Sequence, residues 1–350
     1  MNKKKAYEQS DRKSFIDALK GICIIFVVIT HYSWSGEERL KYLFPYWIDM
    51  AVPIFMIISG YVYYFSYKKD GINEIWDAYK PAFFMRKLIR YTIPFATVYI
   101  IEQAIRIFLG EITISFKDFF DGCILFLQGG IGPGSFYYPI MIQLIFVFPL
   151  IFFVIEKFGD KGLAICGLSN MIYELMQRAY GMSEDYYRLS VFRYVLVIAI
   201  GCYIARGEII HNRFFMITAF LVGFTFITAV CYWGYSPKVI RYWARTSFLA
   251  CLYIIPIAFI FFARMRTWSF KPIEMIGKAS YNVFLFQMAW YGFKERIIGF
   301  DMNSKAAEVV IDILACIVGG LVFYYVETPL TQKINNRVKN KLCENGEDKK

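Results

Sequence analysis

His31 is the residue of this sequence best suited to acid–base chemistry. The chain has two histidines, and His31 lies in the segment T-H-Y-S-W, directly after the apolar run I-C-I-I-F-V-V-I. An ionisable side chain at the end of such a run is a functional candidate, because an imidazole is costly to place in apolar surroundings. The imidazole could act as a general base or carry a group covalently. The alternative is a satisfied polar residue at the membrane interface.

Two acidic residues could assist His31. Asp17 and Lys20 are three residues apart, so on a helix they share one face and are expected to form an ion pair. Asp17 precedes His31 by 14 residues, about 21 Å along a helix axis, which is too far to orient the imidazole. Asp49 begins the next apolar run, and a carboxylate beside an imidazole fixes its tautomer and raises its basicity. Asp49 is therefore the predicted partner of His31, with a solvated interfacial aspartate as the alternative.

The segment R-K-L-I-R carries three cations at helical spacing. Arg86 and Arg90 are four residues apart and share a helix face, and Lys87 lies beside them. Paired guanidinium groups bind phosphates through directed, charge-assisted hydrogen bonds, so these residues could hold a phosphate-bearing ligand. Anchoring of a helix at the cytoplasmic surface is the plainer interpretation.

Polar residues also occur inside apolar runs. Glu102 precedes Arg106 by one helical turn, so an ion pair between them is expected. Ser280, Asn282 and Gln287 lie in a run that is otherwise apolar, where hydrogen bonds between helices are a sufficient explanation. The same residues are also candidates for substrate contact.

The segment D-M-A-V-P-I-F-M-I-I-S-G-Y combines a proline with small residues. Pro53 lies inside the predicted second span and should bend it, because proline leaves a backbone carbonyl without its usual partner. Ser59 and Gly60 form a small patch where another helix can approach closely.

These residues must be positioned by membrane-spanning helices. The chain is 58% hydrophobic, 20% aromatic and 19% charged, whereas soluble domains have about 25% charged residues. Long apolar runs recur with charges in the gaps between them. The expected fold is all-α and polytopic, with about ten transmembrane helices, near residues 15–33, 46–67, 88–109, 136–155, 162–177, 189–206, 214–234, 247–263, 276–293 and 307–326.

The lysine and arginine pattern predicts the orientation. Basic residues concentrate in the N-terminal tail, in 68–90, in 264–271 and after Lys333, which places these segments and both termini in the cytoplasm. The connections 110–121 and 178–188 are then outside, and His31 is near the outer end of the first span. A loop with Lys238, Arg241 and Arg245 departs from the rule. The expected organisation is a cytoplasmic tail (1–13), a transmembrane domain (14–329) and a second cytoplasmic tail (330–350).

Several function classes are not favoured. The net charge of +11 is spread over short segments between spans, and no nucleic-acid-binding motif accompanies it. The eight cysteines are scattered without a C-x-x-C, which indicates small buried side chains rather than disulfides or a zinc site. His211 lies in a polar cytoplasmic turn, and the single membrane histidine has no partner ligands at helical spacing, so no histidine-based metal site is expected. The oligomeric state is left open.

Five segments, in order from about Ser14 to Pro329, resemble the motifs of the membrane-bound acyltransferase-3 family, which O-acylates cell-envelope sugars. They are I-D-A-L-K-G…T-H, A-V-P-I-F-M-I-I-S-G-Y, R-K-L-I-R, G-K-A-S-Y-N-V-F-L-F-Q and V-E-T-P. The resemblance implies that His31 is the essential histidine and that Arg86 and Arg90, with Lys87, belong to the donor site. It makes Asp17, Lys20, Ser59 and Glu327 candidate support residues.

Two positions depart from the family pattern. Lys20 stands where an arginine is usual, which keeps the charge and loses the bidentate fork. Gln287 stands where many members have a second histidine, so this position cannot supply a base. The stretch G-S-F-Y-Y-P-I-M-I-Q-L-I, residues 134–145, resembles members associated with exopolysaccharide modification.

The resemblance implies an integral enzyme of the bacterial cytoplasmic membrane, in contact with membrane lipids. Its expected donor is a cytosolic acyl-CoA, with acetyl-CoA favoured, and its expected acceptor is a hydroxyl of an exopolysaccharide or a lipid-linked glycan. The alternative is a transporter or flippase for a glycan or lipid-linked sugar, in which His31 would relay protons and Glu102 would couple transport to ions. Such a transporter would often show internal repeats, and none is visible in the sequence.

Overall fold

The described part of the chain is largely helical. A computed structural model describes residues 3–208, 210, 212–238, 240, 242–264, 268–297, 299 and 304–347, and no strand occurs among them. The predicted all-α class is confirmed. In chain order the helices are α1 (Lys3–His31), α2 (Gly36–Lys41), α3 (Ala51–Lys69), α4 (Pro81–Phe108), α5 (Phe116–Leu127), α6 (Tyr137–Phe158), α7 (Asp160–Ala179), α8 (Glu184–Leu189), α9 (Val195–Arg206), α10 (Arg213–Tyr232), α11 (Phe248–Cys251), α12 (Ile254–Arg264), α13 (Lys271–Lys278), α14 (Ser280–Ile297) and α15 (Lys305–Glu347).

Each of the ten predicted intervals overlaps a helix. By length and composition, five helical segments of the described chain could cross a membrane: Ser14–His31, Phe44–Lys69, Tyr137–Phe158, Arg213–Tyr232 and Lys305–Val338. The pair formed by α11 and α12, bent by 63°, makes a sixth if it is one broken span. The protein is therefore a polytopic helical membrane protein. The number of ten crossings and the side of each end stay predictions.

The described helices form two compact units. The first unit comprises residues 1–72 and 147–278, and the second comprises 73–146 and 279–350. The first therefore holds α1 to α3 and α7 to α13, and the second holds α4, α5, α14 and α15. The division falls within α6.

In the first unit, glycines allow two pairs of helices to pack backbone against backbone. A Cβ on Gly60 of α3 would overlap the carbonyl of Ile198 on α9, and a Cβ on Gly201 of α9 would overlap the carbonyl of Ile57. The close approach predicted at Ser59 and Gly60 is thus observed. Gly21 of α1 and Gly277 of α13 make an equivalent contact, in which a Cβ on Gly277 would overlap the carbonyl of Asp17.

Pro53 does not bend a span, contrary to the sequence prediction. α3 begins at Ala51, so Pro53 is the third residue of the helix. In the first turn of a helix the backbone N–H groups have no partner within the helix, and a proline there removes no hydrogen bond.

In the second unit, α4, α14 and α15 pack against one another. The Tyr281 hydroxyl donates to the Tyr91 carbonyl on α4 at 2.9 Å. The Asn282 amide donates to Glu327 on α15 at 3.2 Å. These two contacts are interhelical hydrogen bonds of the kind expected for polar residues in apolar runs.

A glycine-rich turn, G-G-I-G-P-G at residues 129–134, connects α5 to α6. Gly129 and Gly130 have φ values of 92° and 86°, which glycine adopts without steric cost. A Cβ on Gly132 would lie 2.6 Å from the Met288 backbone oxygen, so the turn packs directly against α14. This segment was predicted only as a connection between spans.

Candidate functional site

The end of α1 is held by contacts to its last carbonyl groups. The Trp34 indole donates to the Ile29 carbonyl at 2.7 Å, and the Arg39 guanidinium donates to the Thr30 carbonyl at 3.1 Å. The last four carbonyls of a helix have no partner within the helix, so such contacts define where it stops. His31 is the last residue of α1 and is half-buried. Its backbone position is therefore fixed by side chains from outside the span.

Asp49 lies at the centre of a charged cluster beside His31. Its Oδ1 accepts from the Thr30 hydroxyl at 3.2 Å and pairs with Arg39, which also donates to the Thr30 hydroxyl at 2.9 Å. Its Oδ2 is 3.7 Å from the Arg245 guanidinium. The Asp49 side chain is 5% exposed. The structure thus brings Asp49 to the residue that precedes His31, and its role in orienting the imidazole stays a prediction.

Arg39 and Arg245 were not predicted as site residues. Arg39 lies on α2, a six-residue helix with no apolar run to mark it. Arg245 belongs to the loop that departed from the charge rule, and it occupies a 3₁₀ turn, Ala244–Thr246. That departure was the available sequence signal, because a basic loop predicted to be external runs against the positive-inside rule.

The turn that carries Arg245 is held by a buried arginine. Arg193 is 3% exposed and lies 4.4 Å from the centre of the Trp243 ring. It donates to the Thr246 hydroxyl at 3.3 Å, and the Trp243 indole donates to Glu184 at 2.7 Å. Cation–π contact favours this packing of a guanidinium among aromatic rings. Trp243, which precedes the turn, and Thr246, which ends it, are therefore both held in place.

Asp17 and Lys20 form the predicted ion pair at 2.9 Å. Both side chains are partly buried, and the backbone of Asp17 lies against Gly277. The first and fourth motifs of the sequence therefore meet at the crossing of α1 and α13. This contact indicates that the glycines of both motifs are required for packing.

In the second unit, α4 carries the three cations of R-K-L-I-R. Lys87 is buried, with its Nζ 4.8 Å from the centre of the Phe83 ring, and Arg86 lies 5.3 Å from the same ring. Arg90 is exposed. The Arg86 carbonyl accepts from Asn335 of α15 at 3.3 Å. Arg90 is thus the most accessible of the three for a phosphate, and Lys87 the least.

The expected ion pair between Glu102 and Arg106 is absent from the described residues. Glu102 is 1% exposed, and it faces the glycine-rich turn at Gly130. Arg106 instead lies 3.5 Å from Glu111 and donates to Gln103 at 3.2 Å. Glu111 competes successfully because it is 30% exposed, so pairing with it requires less removal of charge from water.

The remaining candidate residues lie on α14 and α15 of the second unit and on α3 of the first unit. Gln287 is fully buried and donates to the Pro133 carbonyl at 2.9 Å, which ties α14 to the glycine-rich turn. Glu327 accepts from Asn282 and from Thr331, so it serves as a buried hydrogen-bond acceptor. Ser280 begins α14, and Ser59 is half-buried on α3 beside Gly60. His211 lies outside the described residues.

The comparisons with known proteins agree with these elements. A family model described as an acyltransferase domain matches residues 13–326, nearly the whole chain. The matched interval includes His31, Asp49 and the three cations of α4, and it ends one residue before Glu327. Neither the search of curated proteins nor the search of solved structures gave a significant match.

Proposed function

The chain belongs to the acyltransferase-3 family and is a membrane acyltransferase, and on this premise we propose that it acylates an envelope glycan. The donor is a cytosolic acyl-CoA, with acetyl-CoA favoured. The acceptor is a hydroxyl of an exopolysaccharide or of a lipid-linked saccharide in the bacterial cytoplasmic membrane. The observation that carries the proposal is the fixed histidine at the end of α1, in a chain that matches the family over nearly its full length.

His31 acts on the acceptor hydroxyl. As a general base it removes the hydroxyl proton while the hydroxyl oxygen attacks the thioester carbonyl. A carbon–oxygen bond forms, the carbon–sulfur bond breaks, and the proton passes from the imidazole to the departing thiolate of coenzyme A. In the second route, His31 carries the acyl group covalently before the acceptor arrives. Both routes require a defined imidazole position, which the contacts of Thr30, Arg39 and Trp34 support.

Arg86 and Arg90 bind the phosphates of the donor. Their four-residue spacing on α4 places both guanidinium groups on one helix face, and guanidinium forks suit phosphate oxygens. Lys87 contributes its charge from a buried position over Phe83. The buried residues Glu102, Gln287 and Glu327 and the partly buried Asp17 support the helices that carry these groups.

Mass spectrometry of envelope glycans, with and without the gene, tests the proposal. We expect an acyl-sized mass difference that the unmodified protein restores and that His31→Ala, expressed at the same level, does not. Purified protein in detergent should also release coenzyme A from acetyl-CoA. Loss of glycan export without any change in acyl content would instead indicate a transporter, and full acylation by His31→Ala would show that His31 is not catalytic.

A further inference from the structure

Helix α5 presents three chemically different faces. One face packs on α4, where Phe126 contacts Phe95 and Tyr99, and the Tyr99 hydroxyl donates to the Gly122 carbonyl at 2.6 Å. A second face carries large apolar side chains that are between 59% and 86% exposed, namely Phe116, Phe119, Phe120 and Leu127. The third face is polar and lines a cavity. A helix with this distribution lies along a membrane surface, with its apolar face toward the acyl chains.

The cavity has a volume of about 360 Å³ and opens to the surface of the second unit. Its walls include Arg106 of α4, Asp118 and Asp121 of α5, and Gln128, the residue that follows α5. This volume is at the lower end of the range for small-molecule sites, which combine aliphatic walls with a few convergent polar groups. The charge pattern of the sequence predicts that the 110–121 connection at this end of α4 is outside the cell.

Some of these polar groups are already used, and others are not. Asp118 accepts from the backbone and hydroxyl of Thr113 and from the Ser115 hydroxyl, as part of the N-terminal cap of α5. Arg106 is oriented by Gln103 and Glu111. In the described part of the chain, the side chains of Asp121 and Gln128 have no hydrogen-bond or ionic partner. The cavity therefore offers a free carboxylate, a free amide and an oriented guanidinium.

We propose that this cavity binds one neutral sugar ring of the acceptor, a proposal that rests on the function proposed above. Ring hydroxyls can donate to Asp121 and accept from Gln128 and Arg106, which a purely apolar ligand cannot do. The two carboxylates at the cavity disfavour an anionic group. The exposed aromatic face of α5 places the cavity at the level of the lipid headgroups, where a saccharide carried at the membrane surface is presented.

Three substitutions test the cavity. Asp121→Asn removes the charge of the free carboxylate and replaces one of its acceptor oxygens by a donor. Gln128→Ala removes the free amide. Gly122→Gln fills the space, and an added Cβ at Gly122 meets only the Tyr99 hydroxyl, at 3.5 Å, so the backbone need not move. The matched control is Lys117→Gln, which changes an exposed residue of the same helix that does not line the cavity.

Two readouts are needed for each variant. The first is the acyl content of the lipid-extracted saccharides and of the secreted polysaccharide in cells that express it, which also distinguishes the two sources of the sugar ring. The second is hydrolysis of acetyl-CoA by purified protein without glycan acceptor, in which water takes the acetyl group and coenzyme A is released. We expect Asp121→Asn to lower acyl content about tenfold, the effect of losing one hydrogen bond to a charged group. Gln128→Ala should lower it through the lost amide contact and Gly122→Gln through steric exclusion of the sugar, with coenzyme A release unchanged in all three. The control should match the unmodified protein in both readouts.

Acylation at the unmodified level by all three variants would overturn the proposal. An equal fall in coenzyme A release would also overturn it, because it would show that α5 supports the fold or the donor site. If the unmodified protein neither releases coenzyme A nor changes the glycan, the proposed function itself is wrong, and the assignment of the cavity fails with it.

Discussion

At the scale of single residues, Asp49 joins a charged network to the catalytic candidate. Its carboxylate is nearly buried, and Arg39 binds both that carboxylate and the Thr30 hydroxyl. In the described residues, Asp49 Oδ2 and Arg39 Nε are buried without a hydrogen-bond partner. The ion pair therefore positions Thr30 and His31 more than it raises the free energy of unfolding, because the two charges lose hydration on burial.

Removal of one member of this pair should be strongly destabilising. Asp49→Asn leaves Arg39 partly buried and uncompensated, which costs about 3 kcal/mol in comparable pairs. We expect a clear fall in the thermal unfolding midpoint in detergent and a lower rate of coenzyme A release. The double variant Arg39→Met, Asp49→Leu should be less destabilised than the sum of the single variants.

The control for this experiment is a surface pair. Asp185 lies 3.4 Å from Arg188 and its side chain is 78% exposed, so Asp185→Asn should cost less than about 1 kcal/mol. Equal effects of Asp49→Asn and Asp185→Asn on unfolding would contradict the interpretation of Asp49 as the centre of a buried network.

The N-terminal cap of α5 should depend on pH. Hydrogen bonds from the side chain of Thr113, and then from Ser115, hold the pKa of Asp118 below its ordinary value. Because the carboxyl pKa is lowered in the folded protein, the cap stabilises the fold fully at pH values above the ordinary carboxyl pKa of about 4. This stabilisation is lost as the pH falls through the lowered pKa of the folded state. Cleavage by pepsin near residues 110–118 should therefore rise at the acid end of its range. In Asp118→Asn the cleavage should be high throughout, and a pH-independent difference between unmodified and variant protein would contradict this prediction.

At the scale of elements, the crossing of α3 and α9 depends on two glycines. A methyl group on Gly60 or on Gly201 would overlap a backbone carbonyl of the facing helix, and backbone cannot yield as a flexible side chain does. Gly60→Ala and Gly201→Ala should each cost about 1–3 kcal/mol or prevent folding. The measurements are folded yield and the unfolding midpoint.

Gly292 supplies the matching control. It lies inside α14, and an added Cβ there meets nothing within 4 Å. Gly292→Ala should stabilise the helix by about 0.5–1 kcal/mol, because alanine loses less backbone entropy on folding. If Gly60→Ala were tolerated as well as Gly292→Ala, the close contact of α3 with α9 would be wrong.

The helices that overlap the predicted spans could be predicted from the sequence because they carry long apolar runs, whereas the short helices α2 and α8 carry none. The pair of Asp17 and Lys20 could be predicted because both residues lie on one helix, where geometry alone brings them together. The network of Asp49 could not, since Arg39 and Arg245 come from a short helix and a 3₁₀ turn whose positions depend on the whole first unit. Helical spacing alone also predicted an ion pair that does not form: Arg106 lies one turn from Glu102, and it pairs with Glu111 instead.

At the scale of the whole molecule, α4 decides the topology of the second unit. It has 28 residues, about 42 Å of helix, which is more than the hydrocarbon thickness of about 30 Å. It also carries Arg86, Arg90, Glu102 and Arg106, and these charges explain why composition alone does not mark it as a span. If α4 crosses, the segments before and after it lie on opposite sides of the membrane.

Cysteine labelling in intact cells tests this crossing. In a Cys123→Ser background, Lys117→Cys replaces an exposed residue of α5, and Lys80→Cys replaces a residue before α4 whose side chain is 71% exposed. A membrane-impermeant maleimide should label the first in intact cells and the second only after permeabilisation, because the basic 68–90 segment is predicted to be cytoplasmic. Labelling of both from outside would mean that α4 does not cross, and the reverse pattern would invert the predicted orientation.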